Sequence, residues 1–173
     1  MIDERREVAV AEWVAVATDA RDSGFGYFDW LSAVDRTSDD PAGFDVVLHL
    51  LDITTARALR GLLISARLPT GAHLPSVTGV FAGAAWHERE THEMFGIEIT
   101  GFDDGTGLGL RPLLLPDGFE GHPLRKDFYL TARVSKDWPG AKEPGAPHTG
   151  GPARRKMQPP GIPPPEWGPR WEH

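Results

Sequence analysis

Two short stretches concentrate the side chains able to do chemistry. Trp86–Gly96, WHERETHEMFG, packs Glu88, Arg89, Glu90 and Glu93 together with His87, His92 and the large apolar residues Trp86, Met94 and Phe95. Gly121–Asp127, GHPLRKD, adds His122, Pro123, Arg125, Lys126 and Asp127. On a helix turning about 100° per residue, Trp86, Glu90, Glu93 and Met94 share one side with Arg89 at its edge. That placement predicts two carboxylates among residues expected to be buried. A buried carboxylate is costly unless answered. Arg89 can reach Glu93 one turn on, and Arg125 and Lys126 can approach from the second stretch, so a buried ionic network of Glu90, Glu93, Arg89 and Arg125 is expected. The competing chemistry is an acid/base pair of Glu90 and Glu93 in a stand-alone hydrolase, because two adjacent carboxylates raise one pKa. The neighbouring cations work against that repulsion.

Other motifs are weaker. His87 and His92 are five residues apart, not the four of a helical zinc site, so they stand about 140° apart and do not converge on one metal. Glu88 and His92 share a face, but exposed polar residues are the better reading of both. Gly105-Thr106-Gly107-Leu108-Gly109 has the composition of a phosphate loop, yet no buried strand precedes it and no Lys-Ser/Thr pair closes it. His49 falls on the face of its strand opposite Phe44, Val46, Leu48 and Leu50 and reads as a surface or packing histidine.

The elements that must position these groups follow from pattern. Asp3 can cap an amphipathic helix to Arg21, with Val10, Trp13, Val14 and Ala17 on its apolar face. Tyr27–Asp35 and Gly43–Leu51 read as strands around a polar loop, and residues 56–68 fit either helix or strand. Ser76 is a plausible cap for a turn reaching Phe81. The charged helix then runs from Ala84 to Phe95, with Gly96 as its stop. Ile97–Ile99 alternates, and the chain beyond is irregular as far as Pro116.

The formal net charge is −7, and no Cys is present, which excludes thiolate catalysis, Cys-held clusters and disulfides. Residues 131–173 hold seven Lys and Arg against four Asp and Glu, a surplus of +3 that leaves −10 on residues 1–130. The same tail holds ten of the sixteen Pro, so it is expected to be extended and to become ordered only against a partner. Its three Trp could stack on bases, but its cations are few for nucleic-acid binding. No apolar run is long enough to span a membrane, and the first ten residues lack a secretory pattern.

Glu88-Arg89-Glu90-Thr91-His92-Glu93-Met94-Phe95-Gly96-Ile97, followed by Gly121-His122-Pro123-Leu124-Arg125-Lys126-Asp127-Phe128, resembles the signature of the respiratory complex I 30 kDa subunit family, which supplies the C subunit of bacterial NADH-quinone oxidoreductase. The similarity spans residues 1–130. Glu93 stands where that family usually has Asp, which lengthens its reach by a methylene, and Ile99–Asp104 with its glycines remodels the following loop. The resemblance implies an α+β fold, with a small mixed sheet carrying the N-terminal helix and the signature helix, segment 56–68 as a strand, and a Pro-rich tail over residues 131–173. It implies a non-catalytic structural subunit of the hydrophilic arm, peripheral on the cytoplasmic side of the membrane. The expected partners are the large quinone-site subunit and other arm subunits. NADH, flavin, iron–sulfur clusters and quinone would sit in those partners and none in this chain. The equivalent subunit of a membrane-bound hydrogenase or other-donor dehydrogenase is the alternative. In either, Glu88, Arg89, Glu90, Glu93, Met94, Phe95, Gly96, His122, Pro123, Arg125, Lys126 and Asp127 are expected to form a structural clamp.

Overall fold

Period-2 alternation builds the centre of the molecule. A computed structural model of the protein describes residues 4–55, 58–116 and 118–129. Strands β2 (Tyr27–Arg36), β3 (Gly43–Asp52) and β4 (Arg60–Pro69) form an antiparallel meander, and β1 (Glu4–Val8) adds to the outside of β4 in parallel, giving the order β1-β4-β3-β2. Phe44, Val46, Leu48 and Leu50 of β3 and Leu62, Ile64, Ala66 and Leu68 of β4 are buried on one face, as the two-residue period requires. The ambiguous 56–68 segment thus contributes a strand from Arg60, where its Leu and Ile side chains fill the core. Helix α1 (Trp13–Asp22) adds Trp13, Ala17 and Ala20 to the same core.

The N-terminal helix is shorter than its expected extent from Asp3. Glu4–Val8 is a strand, and a 3-10 turn at Val10–Glu12 leads into α1. The physical reason lies in the pattern. Helical apolar spacing begins only at Val10, and the charged residues before it gain more by pairing their backbone with the open side of β4 than by extending a helix with nothing to bury. The charges also guard the outer edge of β1.

Residues Leu74, Val77, Phe81 and Ala84 close the core from a second layer. There β5 (His73–Pro75) pairs in parallel with β6 (Glu98–Thr100), and helix α2 (Ala84–Phe95) lies between them in sequence. Gly96 ends α2 at φ +72° with its N–H bonded to His92 O at 2.8 Å, a left-handed cap suited to glycine. Helix α2 runs beside β2, the outer strand of the sheet, and His87 Nδ1 donates to Leu31 O at 3.1 Å.

Among the described residues no helix lies over the other sheet face. His49 is there, 7% exposed, stacked on Trp30 at 5.6 Å and hydrogen-bonded through Nδ1 to Asp29 at 2.8 Å. A bulge between Phe28 and Trp30 brings Asp29 into reach. Among the described residues no helix is long and apolar enough to cross a membrane. The Pro-rich tail at 131–173, and its expected ordering against a partner, lie outside the described residues.

Candidate functional site

Helix α2 carries the first motif, and its buried residues are Ala84, Ala85, Glu88, Arg89, Thr91, Met94 and Phe95. Trp86, expected inside, is 64% exposed. Ala84, Ala85 and Thr91 on the side that meets the body permit close approach and leave room for Met94 and Phe95, and Trp86 is left out.

The fully buried carboxylate is Glu88. Ser76 Oγ donates to its Oε2 at 2.7 Å and the Val77 N–H donates to its Oε1 at 2.7 Å. Burial pushes its pKa up, and the two hydrogen bonds only partly offset that. Ser76 caps the turn to Phe81, its Oγ accepting the Thr78 N–H at 3.1 Å, and it is also the donor that makes Glu88 tolerable in the core, while its own N–H donates to Thr100 O at 2.8 Å.

Arg89 and Glu93 grip the chain that follows the glycine loop, a strap running from Gly101 to Tyr129. The Arg89 Nε–H donates to Arg111 O at 3.1 Å and Nη2 donates to Pro112 O at 2.7 Å. Glu93 accepts the N–H groups of Leu113 at 3.1 Å, Leu114 at 2.8 Å and Leu115 at 3.0 Å. The sequence here is Pro112-Leu113-Leu114-Leu115-Pro116, and proline has no N–H. Every backbone donor of that pentapeptide therefore goes to one carboxylate. Burial alone would raise the Glu93 pKa, but these three donors and the nearby Arg89 charge bring it below the ordinary value.

The second motif reaches the end of α2. His122 Nδ1 donates to Glu93 O at 2.9 Å and the Leu124 N–H donates to Met94 O at 3.1 Å. The His122 ring lies so close to Gly96 that a Cβ there would sit 2.5 Å from Nε2. Gly96 is thus required twice, by its φ and by its neighbour. Beyond, the Lys126 N–H donates to Asp35 Oδ2 at 2.7 Å. Asp35 is 4% exposed; burial raises its pKa, but bonds from Thr37 and Lys126 and the Arg125 charge leave it lowered.

The expected ionic network is therefore replaced by a different clamp. Glu93 meets neither Arg125 nor Lys126. Arg125 pairs with Asp127 at 3.2 Å and lies over the Phe44 ring at 5.9 Å. Lys126 contributes its backbone. Glu90 is half-buried and has no ion pair among the described residues. The motifs do meet, but through the His122 ring and the Leu124 N–H on the last carbonyls of α2, while the charges of Arg89 and Glu93 go to the backbone of residues 111–115. The reason is stoichiometric: an irregular strap has unpaired N–H and C=O groups, and these outnumber the cations within reach.

The histidines have separate destinations. His87 and His92 bond through Nδ1 to Leu31 O and Ile97 O, on different elements. A carbonyl only accepts, so both rings carry their proton on Nδ1. Among the described residues no group of three or more His, Cys, Asp or Glu is placed to hold a metal ion. His92, Glu93, Arg111, Phe119 and His122 border an open cleft of about 200 Å³ between α2 and the strap. In the glycine loop, Asp104 accepts from Thr106 and from Arg111 Nη1 at 2.6 Å, and the Thr106 bond followed by the Arg111 bond lowers its pKa to about 2. That loop is organised by its own carboxylates.

Sequence reasoning missed the bond of Ser76 to Glu88 and the parts played by Asp35 and Leu113–Leu115. The one available signal was the leucine triplet between prolines, which leaves three adjacent donors in need of a common acceptor.

Comparison with known proteins agrees with this architecture. The family model described as "Respiratory-chain NADH dehydrogenase, 30 Kd subunit" matches residues 6–134. The chain is 41% identical over 130 residues to the C subunit of NADH-quinone oxidoreductase from Methylobacterium sp., covering 73% of this chain and 56% of that protein. It is 38% identical over 140 residues to the same subunit from Salinispora tropica, covering 80% and 54%. The chain thus spans about half the length of the curated relatives it matches. Among solved structures, the trypsin-resistant fragment 1–134 of Nqo5 aligns with a TM-score of 0.51 at 20% identity, covering 59% of this chain and 83% of that one. The structure of a membrane-bound sulfane sulfur reductase, described as an archaeal respiratory membrane complex, aligns at 0.60 and 21% identity, covering 77% and 81%. At such identities the structural likeness speaks for the fold. With three quarters of its residues inside the family model, the chain belongs to the 30 kDa subunit family of respiratory-chain NADH dehydrogenase.

Proposed function

We propose that this chain is a non-catalytic structural subunit of the hydrophilic arm of a proton-translocating NADH-quinone oxidoreductase, seated on the large quinone-site subunit at the cytoplasmic side of the membrane. In this reading NADH, flavin, iron–sulfur clusters and quinone are handled by partner subunits. The observation that carries it is the use made of the signature charges. Glu88, Arg89 and Glu93 all bond to backbone or hydroxyl groups of their own chain. Groups so engaged fix shape and are not free to take up or release a substrate proton. What they fix is a strap whose Leu108, Leu114 and Leu124 are exposed. Relatives named as the C subunit of NADH-quinone oxidoreductase favour this complex over a hydrogenase or other-donor enzyme.

The test is Glu93→Ala in the chain expressed with its neighbouring subunits. The expected outcome is reduced recovery of assembled complex, with normal quinone reduction per complex that does assemble. Full assembly combined with loss of quinone reduction would overturn the structural reading.

A further inference from the structure

The exposed apolar residues beside α2 differ from those on the open sheet face in what surrounds them. On the sheet, Val34 stands among ion pairs that answer one another: Arg36–Asp45 at 3.0 Å, Arg67–Asp45 at 2.7 Å and Arg67–Asp39 at 3.5 Å. Around Val34 that face is charged and mutually neutralised. Beside α2, Trp86 is 64% exposed at the start of the helix and Leu114, gripped through its N–H by Glu93, is 61% exposed. Leu124, tied to Met94 at the helix end, is 50% exposed.

Trp86 is exposed but not free. The Arg89 guanidinium lies 5.5 Å from its ring centroid, and that guanidinium is itself anchored on Arg111 O and Pro112 O. An aromatic side chain held in place before binding loses little entropy on binding, the property of an interface anchor. One turn on stands Glu90, a carboxylate with no ion pair among the described residues.

We propose that the ridge of Trp86, Glu90, Leu114 and Leu124 is the surface covered by another subunit of the complex, and that this partner presents an apolar groove with a Lys or Arg on its rim opposite Glu90. The inference rests on the subunit reading above and names the surface that reading needs. Charge decides between occupants. In a two-fold pair of this chain the ridge would bring like charges together around Glu90, between molecules each carrying −7, whereas a basic rim answers Glu90 directly.

The experiment uses the tagged full chain produced with its neighbouring subunits. Four single variants are compared: Trp86→Ala, Glu90→Lys, Glu90→Gln and, as a control, Val34→Ala. Trp86→Ala is expected to lower recovery of co-purifying subunits roughly tenfold or more, in line with loss of an anchor residue. Glu90→Lys should lower it more than Glu90→Gln, and Val34→Ala should leave it unchanged. The melting temperature of each isolated chain separates lost docking from lost folding. A benzophenone side chain introduced at position 86 should cross-link to a subunit of the complex, with a Lys or Arg near the attachment point. Cross-linking to a second copy, or wild-type recovery with both Trp86→Ala and Glu90→Lys, would overturn the ridge assignment. If the wild-type chain recovers no subunit at all, the subunit reading fails and the ridge falls with it. If subunits are recovered and the cross-link forms only from position 34, the ridge alone fails.

Discussion

The sheet and the strap are held by opposite devices. In the sheet, backbone meets backbone along four registered strands, and core side chains such as Leu48 and Ile64 are wholly excluded from water. Among the described residues from Gly101 to Tyr129 no strand or helix forms, and single side chains of α2 and β2 supply the missing partners. A ladder spreads its free energy over many similar bonds, so one substitution removes a small share. The strap places it in Glu93, Arg89, His122 and Asp35. Its order is as good as those few groups.

That contrast can be broken most severely at Glu93. Replacement by Ala leaves three N–H groups without their acceptor and should weaken strap attachment by about 3 kcal/mol. Amide exchange at Leu113, Leu114 and Leu115 would report it, with Leu48 and Ile64 unchanged; equal loss in both regions would show that strap and sheet are one cooperative unit. Glu93→Asp, shorter by one methylene, should retain part of the protection. Gly96→Ala comes next, at about 2 kcal/mol from a left-handed φ and overlap with His122. In a His122→Ala background the overlap vanishes, so thermal melts should show a smaller cost for the same change.

Acid should separate the regions as well. Glu93 and Asp35 have lowered folded pKa values, so their stabilisation is complete above their unfolded values and is lost as pH falls through the folded ones. Glu88 has the opposite sign: its folded pKa is raised, so the stability it contributes is complete at acid pH and is lost as pH rises through that value. Below about pH 4 the strap amides should therefore exchange before the sheet amides. Glu88→Gln should flatten the Glu88 contribution without loosening the strap. The smallest effect is expected at Arg125, whose partner Asp127 is largely exposed. Arg125→Ala should cost under about 1 kcal/mol in a denaturant titration, where an ionic network would have required about 3–5 kcal/mol.

How much could be read in advance follows the same division. Limits of α2 were legible because Gly96 is a conformational stop written into the sequence, and β2 and β3 because their alternation is clean. The membership of β1 in the sheet was not, since Glu4–Val8 has no apolar period and is placed by the open side of β4. The helical wheel put Trp86, Glu90, Glu93 and Met94 on one side, of which Met94 is buried and Trp86 exposed. Which side faced the body was decided by Ala84, Ala85 and Thr91, whose small size permits close packing, and by donors at Ser76 and Val77 that only the folded chain brings to Glu88. Pairing charges with opposite charges was the natural expectation for Glu93, and a strap with free amides proved the better partner.

The parallel pairing of β1 with β4 also has a meaning in time. Glu4 lies opposite Leu62, so during synthesis β1 must wait for the segment that receives it. At about 5–20 residues per second that interval is roughly 3 to 12 seconds. During it the β2–β3 hairpin can form by itself, while the waiting β1 segment, with Glu4, Arg5, Arg6 and Glu7 in succession, has little tendency to adhere to other chains. Of the four strands β1 is made before the others and paired last, and translation speed through β4 governs when.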